Sequence, residues 1–139
     1  MNDWYLPLID SESEPFWSAA REGRFLIMHC RACDQAYFYP RRYCPHCWSD
    51  DTEWRESGGR GSLYTFSIVY QNPAPPFRDW CPYGIVVVDL EEGVRVMGNW
   101  DRDTPLERLA CGLAVEVTFE AMTDEVSLPR FRPVGSVTG

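Results

Sequence analysis

The chain has 139 residues, 45% of them hydrophobic and 24% charged, which suits one folded domain or a small module beside a modest one and does not suit a disordered segment. Twenty-one acids against thirteen bases give a net charge of −8, a field that repels a polyphosphate backbone, so no nucleic-acid partner is expected. All thirteen cations are Arg, which excludes Schiff-base chemistry and a Lys-dependent phosphate loop from this chain.

The N-terminus, Met1-Asn2-Asp3-Trp4, has neither the positive start nor the apolar stretch of a secretory signal, so a cytoplasmic location is the expectation. Residues 11–23 read as a short helix: Ser11 or Ser13 can cap it, Pro15 suits the first turn, and Gly23 supplies a left-handed end. Phe16, Trp17 and Ala20 share the face expected to dock. Arg24 to Met28 reads as a strand running into Cys30-Arg31-Ala32-Cys33. The aromatic stretch Tyr37-Phe38-Tyr39-Pro40-Arg41-Arg42 can pack beside the site formed with Cys44-Pro45-His46-Cys47, and Thr52 to Glu56 resembles a closing strand.

Ser57-Gly58-Gly59-Arg60-Gly61 reads as a flexible joint, dividing a helix-plus-ribbon module (1–57) from a second module (58–139). The second module is all-β in pattern. Ser62 to Tyr70 alternates, a proline-rich loop spans 72–82, and Ile85 to Leu90 turns through Glu91-Glu92-Gly93 into Val94 to Trp100. The longest apolar run, Gly84 to Val88, is strand-sized, so no bilayer span is expected. Thr104 to Leu109 can form one helical turn, Gly112 opens a strand over 114–120, and Pro129 to Pro133 is extended. Four or five strands with one long loop suit a small closed barrel of the OB type, and an SH3-like barrel or small sandwich fits almost as well.

The two C-x-x-C pairs carry the strongest chemical signal. Each knuckle offers two sulfurs on one side, with backbone N–H groups aimed at them, and ten residues between the pairs let a strand go out and return. Cys30, Cys33, Cys44 and Cys47 are therefore expected to bind one metal ion. Four thiolates suit zinc or a rubredoxin-type iron. Asp34 and Trp48 follow the knuckles where a glycine would turn freely, and a bulky residue and a carboxylate there favour a structural zinc over a tuned electron carrier. Four ligands leave no open position for a catalytic water, and four thiolates around a dication add about two negative charges. His29 and His46 flank the knuckles and are not needed as ligands. Cys81 and Cys111 read as inert cysteines, and the acid pairs Glu91-Glu92 and Asp101/Asp103 as solvated turns. No Ser/His/Asp set or glycine-rich phosphate loop is present.

In order, Pro15-Phe16-Trp17, Gly23-Arg24-Phe25-Leu26, the two cysteine pairs around Tyr39-Pro40-Arg41, Gly59-Arg60-Gly61-Ser62-Leu63-Tyr64-Thr65-Phe66, Pro82-Tyr83, Val88-Asp89-Leu90, Glu92-Gly93-Val94-Arg95, Gly112 to Val117 and Phe131-Arg132-Pro133 cover nearly the whole chain. Together they resemble an acyl-CoA-associated family, long catalogued as a domain of unknown function, with an N-terminal helix, a rubredoxin-like zinc ribbon and a five-stranded OB-fold. That family usually has Gly at the positions of Asp34 and Trp48. The resemblance implies a non-catalytic subunit that docks on a thiolase-like enzyme (a thiolase, or a thiolase-related aldolase or hydratase of steroid or fatty-acyl-CoA degradation) and helps shape or cover its acyl-CoA site. If a coenzyme A thioester is contacted, Arg41, Arg42, Arg60, Arg78, Phe77 and Trp80 are the residues expected to meet it, because Arg grips phosphate and an aromatic ring stacks on adenine. The competing readings are a single-stranded nucleic-acid module, since ribbons and OB barrels both serve that purpose, and a rubredoxin-like electron carrier.

Overall fold

The computed structural model describes residues 6–135. Met1 to Trp4, read above as lacking a secretory signal, lie outside the described residues. No described helix is long and apolar enough to cross a membrane. Two compact units are present, the first formed by the chain up to Gly58 with Phe119–Leu128, the second by Gly59–Thr118 with the residues from Pro129 on.

The first unit begins with helix α1 (Glu14–Arg21), which carries Glu14 in its first turn and Arg21 in its last, complementing the helix dipole. Ser13 takes the cap position without capping, because its hydroxyl donates to the Asp10 carboxylate at 2.8 Å. Asp10 in turn accepts the Ser13 N–H at 2.8 Å, and these bonds hold its carboxyl below its ordinary range. At the other end Gly23 is left-handed (φ 77°), Gly23 N–H bonds Ala20 O and Arg24 N–H bonds Ala19 O, a Schellman stop. The helix buries Phe16, Ala19 and Ala20, whereas Trp17 is half-buried and meets Phe16 edge-on.

Three strands come next: β1 (Phe25–Cys30), β2 (Gln35–Tyr37) and β3 (Thr52–Ser57), antiparallel in the order β2-β1-β3. Phe25 stacks on Phe38 at 5.4 Å and Phe16 packs edge-on against both, so the helix closes over the sheet through three rings.

The second unit is a barrel of β4 (Arg60–Val69), β5 (Tyr83–Leu90), β6 (Arg95–Trp100), β7 (Ala114–Ala121) and β8 (Ser127–Pro133), closed in the order β4-β5-β6-β8-β7. The expected OB arrangement is therefore the one found, with Pro129 to Pro133 belonging to the fifth strand. Period-2 alternation on β5 sends Val86, Val88 and Leu90 inward, where they meet Leu63, Val96, Trp100, Val115 and Phe131, all 3% exposed or less. A bulge at Tyr64 shifts the β4 register between Leu63 and Thr65 and leaves that ring outside, beneath the Arg95 guanidinium. The far end of the β7–β8 hairpin, Phe119–Leu128, groups with the first unit.

Two expectations change. The joint at 57–61 is narrower than it reads: Ser57 ends β3 and Arg60 starts β4, leaving Gly58 and Gly59 between them. Gly61 is a packing glycine, since a Cβ there would run into the backbone of Asp89 and Leu90 on the paired strand. Nor is the proline-rich stretch all loop. It contains a four-residue helix, α2 (Phe77–Trp80), with cis peptide bonds at Pro75-Pro76 and Cys81-Pro82 on either side.

Candidate metal centre

Strand β1 delivers Cys30 at its end, and the turn after it returns Cys33; the second knuckle presents Cys44 and Cys47 to the same space. All four Sγ atoms lie within 4.8 Å of one another, with Cys30–Cys47 at 3.6 Å and Cys33–Cys44 at 3.7 Å. A tetrahedron with Zn–S bonds of about 2.3 Å has sulfurs about 3.8 Å apart. The cluster therefore fits a zinc ion held by four thiolates.

The knuckles are shaped by backbone bonds. Asp34 N–H donates to Cys30 O at 2.9 Å and Trp48 N–H to Cys44 O at 2.8 Å, and both residues are left-handed, with φ of 57° and 68°. Asp and Trp thus occupy the glycine conformation and preserve the turn. The Asp34 carboxylate lies 2.9 Å from His29 Nε2, which gives the buried imidazole a partner. The ring of His46 lies 3.3 Å from Ala36 O, while its backbone N–H donates to Cys44 Sγ at 3.3 Å.

Without metal, Cys33, Cys44 and Cys47 are shifted in different directions. Burial opposes ionisation of Cys44, but N–H donors from His46 and Cys47, joined by the Cys33 and Cys30 thiols, overcome it and bring the group down to about 6. Cys33 is pushed up to about 12, by burial first and then by its hydrogen bonds to Cys30, Cys44 and Cys47. For Cys47 the Ser49 N–H favours ionisation, yet burial and the Cys30 and Cys44 thiols carry it above its ordinary value. A dication is what allows all four to be thiolates together. Cys30 and Cys44 are fully buried beside Met28 and Tyr37, with Trp54 packed against them, whereas Cys47 is exposed. The Tyr37 hydroxyl donates to Arg41 O at 2.8 Å and closes the aromatic side of the site.

The cationic and aromatic residues expected to meet coenzyme A are divided between the two units. In the first unit Arg41 and Arg42 are exposed beside the second knuckle, with the Arg42 guanidinium 5.6 Å from the Tyr43 ring centroid and 3.9 Å from Asp50. In the second unit Arg60 opens β4, and Arg78 sits on α2, which follows the other end of that strand in sequence. Phe77 and Trp80 meet edge-on at 5.4 Å, and Phe77 lies 6.1 Å from Tyr83. Sequence reasoning missed Arg102 and Arg130, whose guanidinium carbons lie 4.8 and 5.4 Å from the Trp80 ring centroid. Arg130 is only 3% exposed. No spacing signal links residues 80, 102 and 130; only closure of the barrel does. The cleft between Trp80, Tyr83, Trp100 and Arg102 holds about 50 Å³, well below the ~300–1,000 Å³ of a pocket that encloses a small-molecule ligand.

Comparison with known proteins gives two family matches in tandem: "ChsH2, rubredoxin-like zinc ribbon domain" over residues 17–53 and "ChsH2, C-terminal OB-fold domain" over residues 54–120. A probable enoyl-CoA hydratase alpha subunit of Thermomonospora curvata is 32% identical over 91% of this chain, which spans only 39% of that protein's length. A DUF35 domain-containing scaffold protein of Methanocaldococcus jannaschii is 34% identical, covering 78% of this chain and 77% of its own. Among solved structures, the one described as "Ltp2-ChsH2(DUF35) aldolase" superposes with a TM-score of 0.80 and 30% identity, covering 92% of this chain and 98% of that one. Four cysteines positioned for zinc, a ribbon and a closed five-stranded barrel in this order place the chain in the DUF35 (ChsH2-type) scaffold family.

Proposed function

We propose that this chain is a non-catalytic accessory subunit, with one structural zinc on Cys30, Cys33, Cys44 and Cys47, that docks on a thiolase-like enzyme and helps shape or cover its acyl-CoA site. The observation that carries the reading is the closed sulfur cluster: four ligands at tetrahedral spacing leave a zinc ion no site for water or substrate. Relatives are named as scaffold proteins, as a hydratase alpha subunit and as part of an aldolase, which supports a partner that acts on acyl-CoA. The cleft at α2 is by itself too small to enclose an acyl chain.

If the thioester is touched, α2 is where we place the contact. Arg78 is exposed there, and Trp80 lies beneath the guanidinium of the exposed Arg102. With its ring engaged in this way, Trp80 serves to steer an arginine toward phosphate rather than to stack on adenine. Arg60, at the other end of β4, would serve a different contact.

The test is co-expression with a thiolase-like or hydratase subunit encoded beside this chain. Co-elution, with acyl-CoA turnover that needs the enzyme subunit, supports the proposal. Failure of every such subunit to bind, together with acyl-CoA turnover by this chain alone, overturns it.

A further inference from the structure

The knuckle turn sets the backbone of Trp48, but neither the turn nor packing calls for a bulky residue there. Trp48 adopts φ +68°, a backbone conformation that glycine takes freely and a bulky residue avoids. Yet its side chain is 76% exposed, so little packing offsets the strain. Strained residues held in place by a rigid surround are a recognised mark of a working surface.

Its surroundings point to the kind of surface. The Cys44 N–H to Ser49 O bond at 2.8 Å ties the two arms of the knuckle together and sets the segment carrying Arg42 and Tyr43 beside the one carrying Trp48. Tyr43 is 49% exposed, and the Arg42 guanidinium lies over its ring. Trp, Tyr and Arg are the three residue types most enriched at protein–protein hot spots. A knuckle held by four sulfurs presents them with little ordering left to do on binding. Nucleic acid would suit exposed aromatics as well, but Asp50 stands 3.9 Å from Arg42, Asp34 is exposed, and the chain carries −8.

We infer that the second knuckle, through Trp48 with Tyr43 and Arg42, is the surface that docks on the enzyme subunit, meeting there an apolar socket for the indole. The inference rests on the accessory-subunit reading and adds where that subunit is held. Trp48→Gly keeps the turn and removes the anchor. In a binding titration of the zinc-loaded full chain against the co-purifying enzyme subunit, this substitution should weaken Kd at least tenfold, chiefly through faster dissociation, with zinc content and melting temperature not lowered. Tyr43→Ser, outside the strained position, should weaken binding in the same direction and covers the case in which Trp48→Gly loses zinc. If the wild-type chain binds the subunit and both variants bind within twofold of it, the docking surface is refuted while the accessory reading stands. If the wild-type chain binds no such subunit, both fall. A Trp48-dependent dimer of the isolated chain in sedimentation velocity, or Trp48-dependent binding of a single-stranded oligonucleotide, would assign the surface to a different occupant and overturn the inference.

Discussion

Replacing Trp48 by glycine should tighten zinc binding, although it removes the largest side chain of the knuckle. An L-residue in the left-handed region carries about 1–2 kcal/mol of strain, and glycine returns about 0.5–1 kcal/mol of that as extra freedom in the unfolded chain. The indole contributes almost nothing in opposition. At 76% exposure it buries about what a compact denatured ensemble already buries, since extended-chain references overstate burial by roughly 10–40%. The net gain is about 0.5–1 kcal/mol, and since ribbon folding and metal binding are linked, this is about a two- to fivefold rise in apparent zinc affinity. Competition against a calibrated chelator, with a thermal melt alongside, measures it. Asp34→Gly is the contrast. Asp tolerates φ 57° better, and its loss leaves the buried His29 without a carboxylate 2.9 Å away, an unsatisfied group worth about 1–3 kcal/mol. That variant should bind zinc no more tightly than the parent. Weaker binding in Trp48→Gly with tighter binding in Asp34→Gly would refute the strain argument.

Three further outcomes are expected from the same structure. Stripping the metal, or replacing Cys44 by Ser, should unfold the cysteine-bearing unit while the barrel keeps its slow amide exchange, because zinc supplies ~10–16 kcal/mol to a small thiolate site; uniform loss of protection would contradict this. Zinc affinity should fall as pH falls. Around neutral pH the metal-free site holds Cys33 and Cys47 protonated, with Cys33 pushed up to about 12 and Cys47 above its ordinary value. At least two protons must therefore leave, so affinity should drop about 100-fold per pH unit near pH 7, and more steeply below about 6, where Cys44 also protonates; a flat profile from buffered zinc competition would rule the assignment out. In the barrel, Phe131→Ala at a 1% exposed position should reduce stability by about 3–5 kcal/mol, read as a lower denaturant midpoint with zinc content unchanged.

The ribbon was readable from sequence because its information is local. Cys30, Cys33, Cys44 and Cys47 sit at the paired spacing that a zinc knuckle uses, and the strand patterns of 85–90 and 94–100 differ from the observed ends by a residue or two. What sequence hid was information carried by another segment. Ser13 reads as a cap, but Asp10 competes for its hydroxyl. The prolines at 73, 75, 76 and 82 argue for an extended loop, yet the four residues among them turn into α2. Gly61 reads as flexible until Asp89 and Leu90 are seen against it. Trp48 reads as a misfit beside a knuckle, and the structure shows that the backbone takes the left-handed turn regardless. The grouping of Arg102 and Arg130 around Trp80 depends on barrel closure between strands far apart in sequence, which no periodicity within one segment can reveal.

The most direct measurement of the central claim is native mass spectrometry of the chain co-expressed with a neighbouring thiolase-like or hydratase subunit, combined with an acyl-CoA turnover assay of each component alone and together. A complex in which every copy of this chain carries one zinc ion is expected, with no turnover by the isolated chain and turnover by the enzyme subunit that depends on the complex. A monomeric chain that binds no such subunit and turns over an acyl-CoA by itself would contradict that claim.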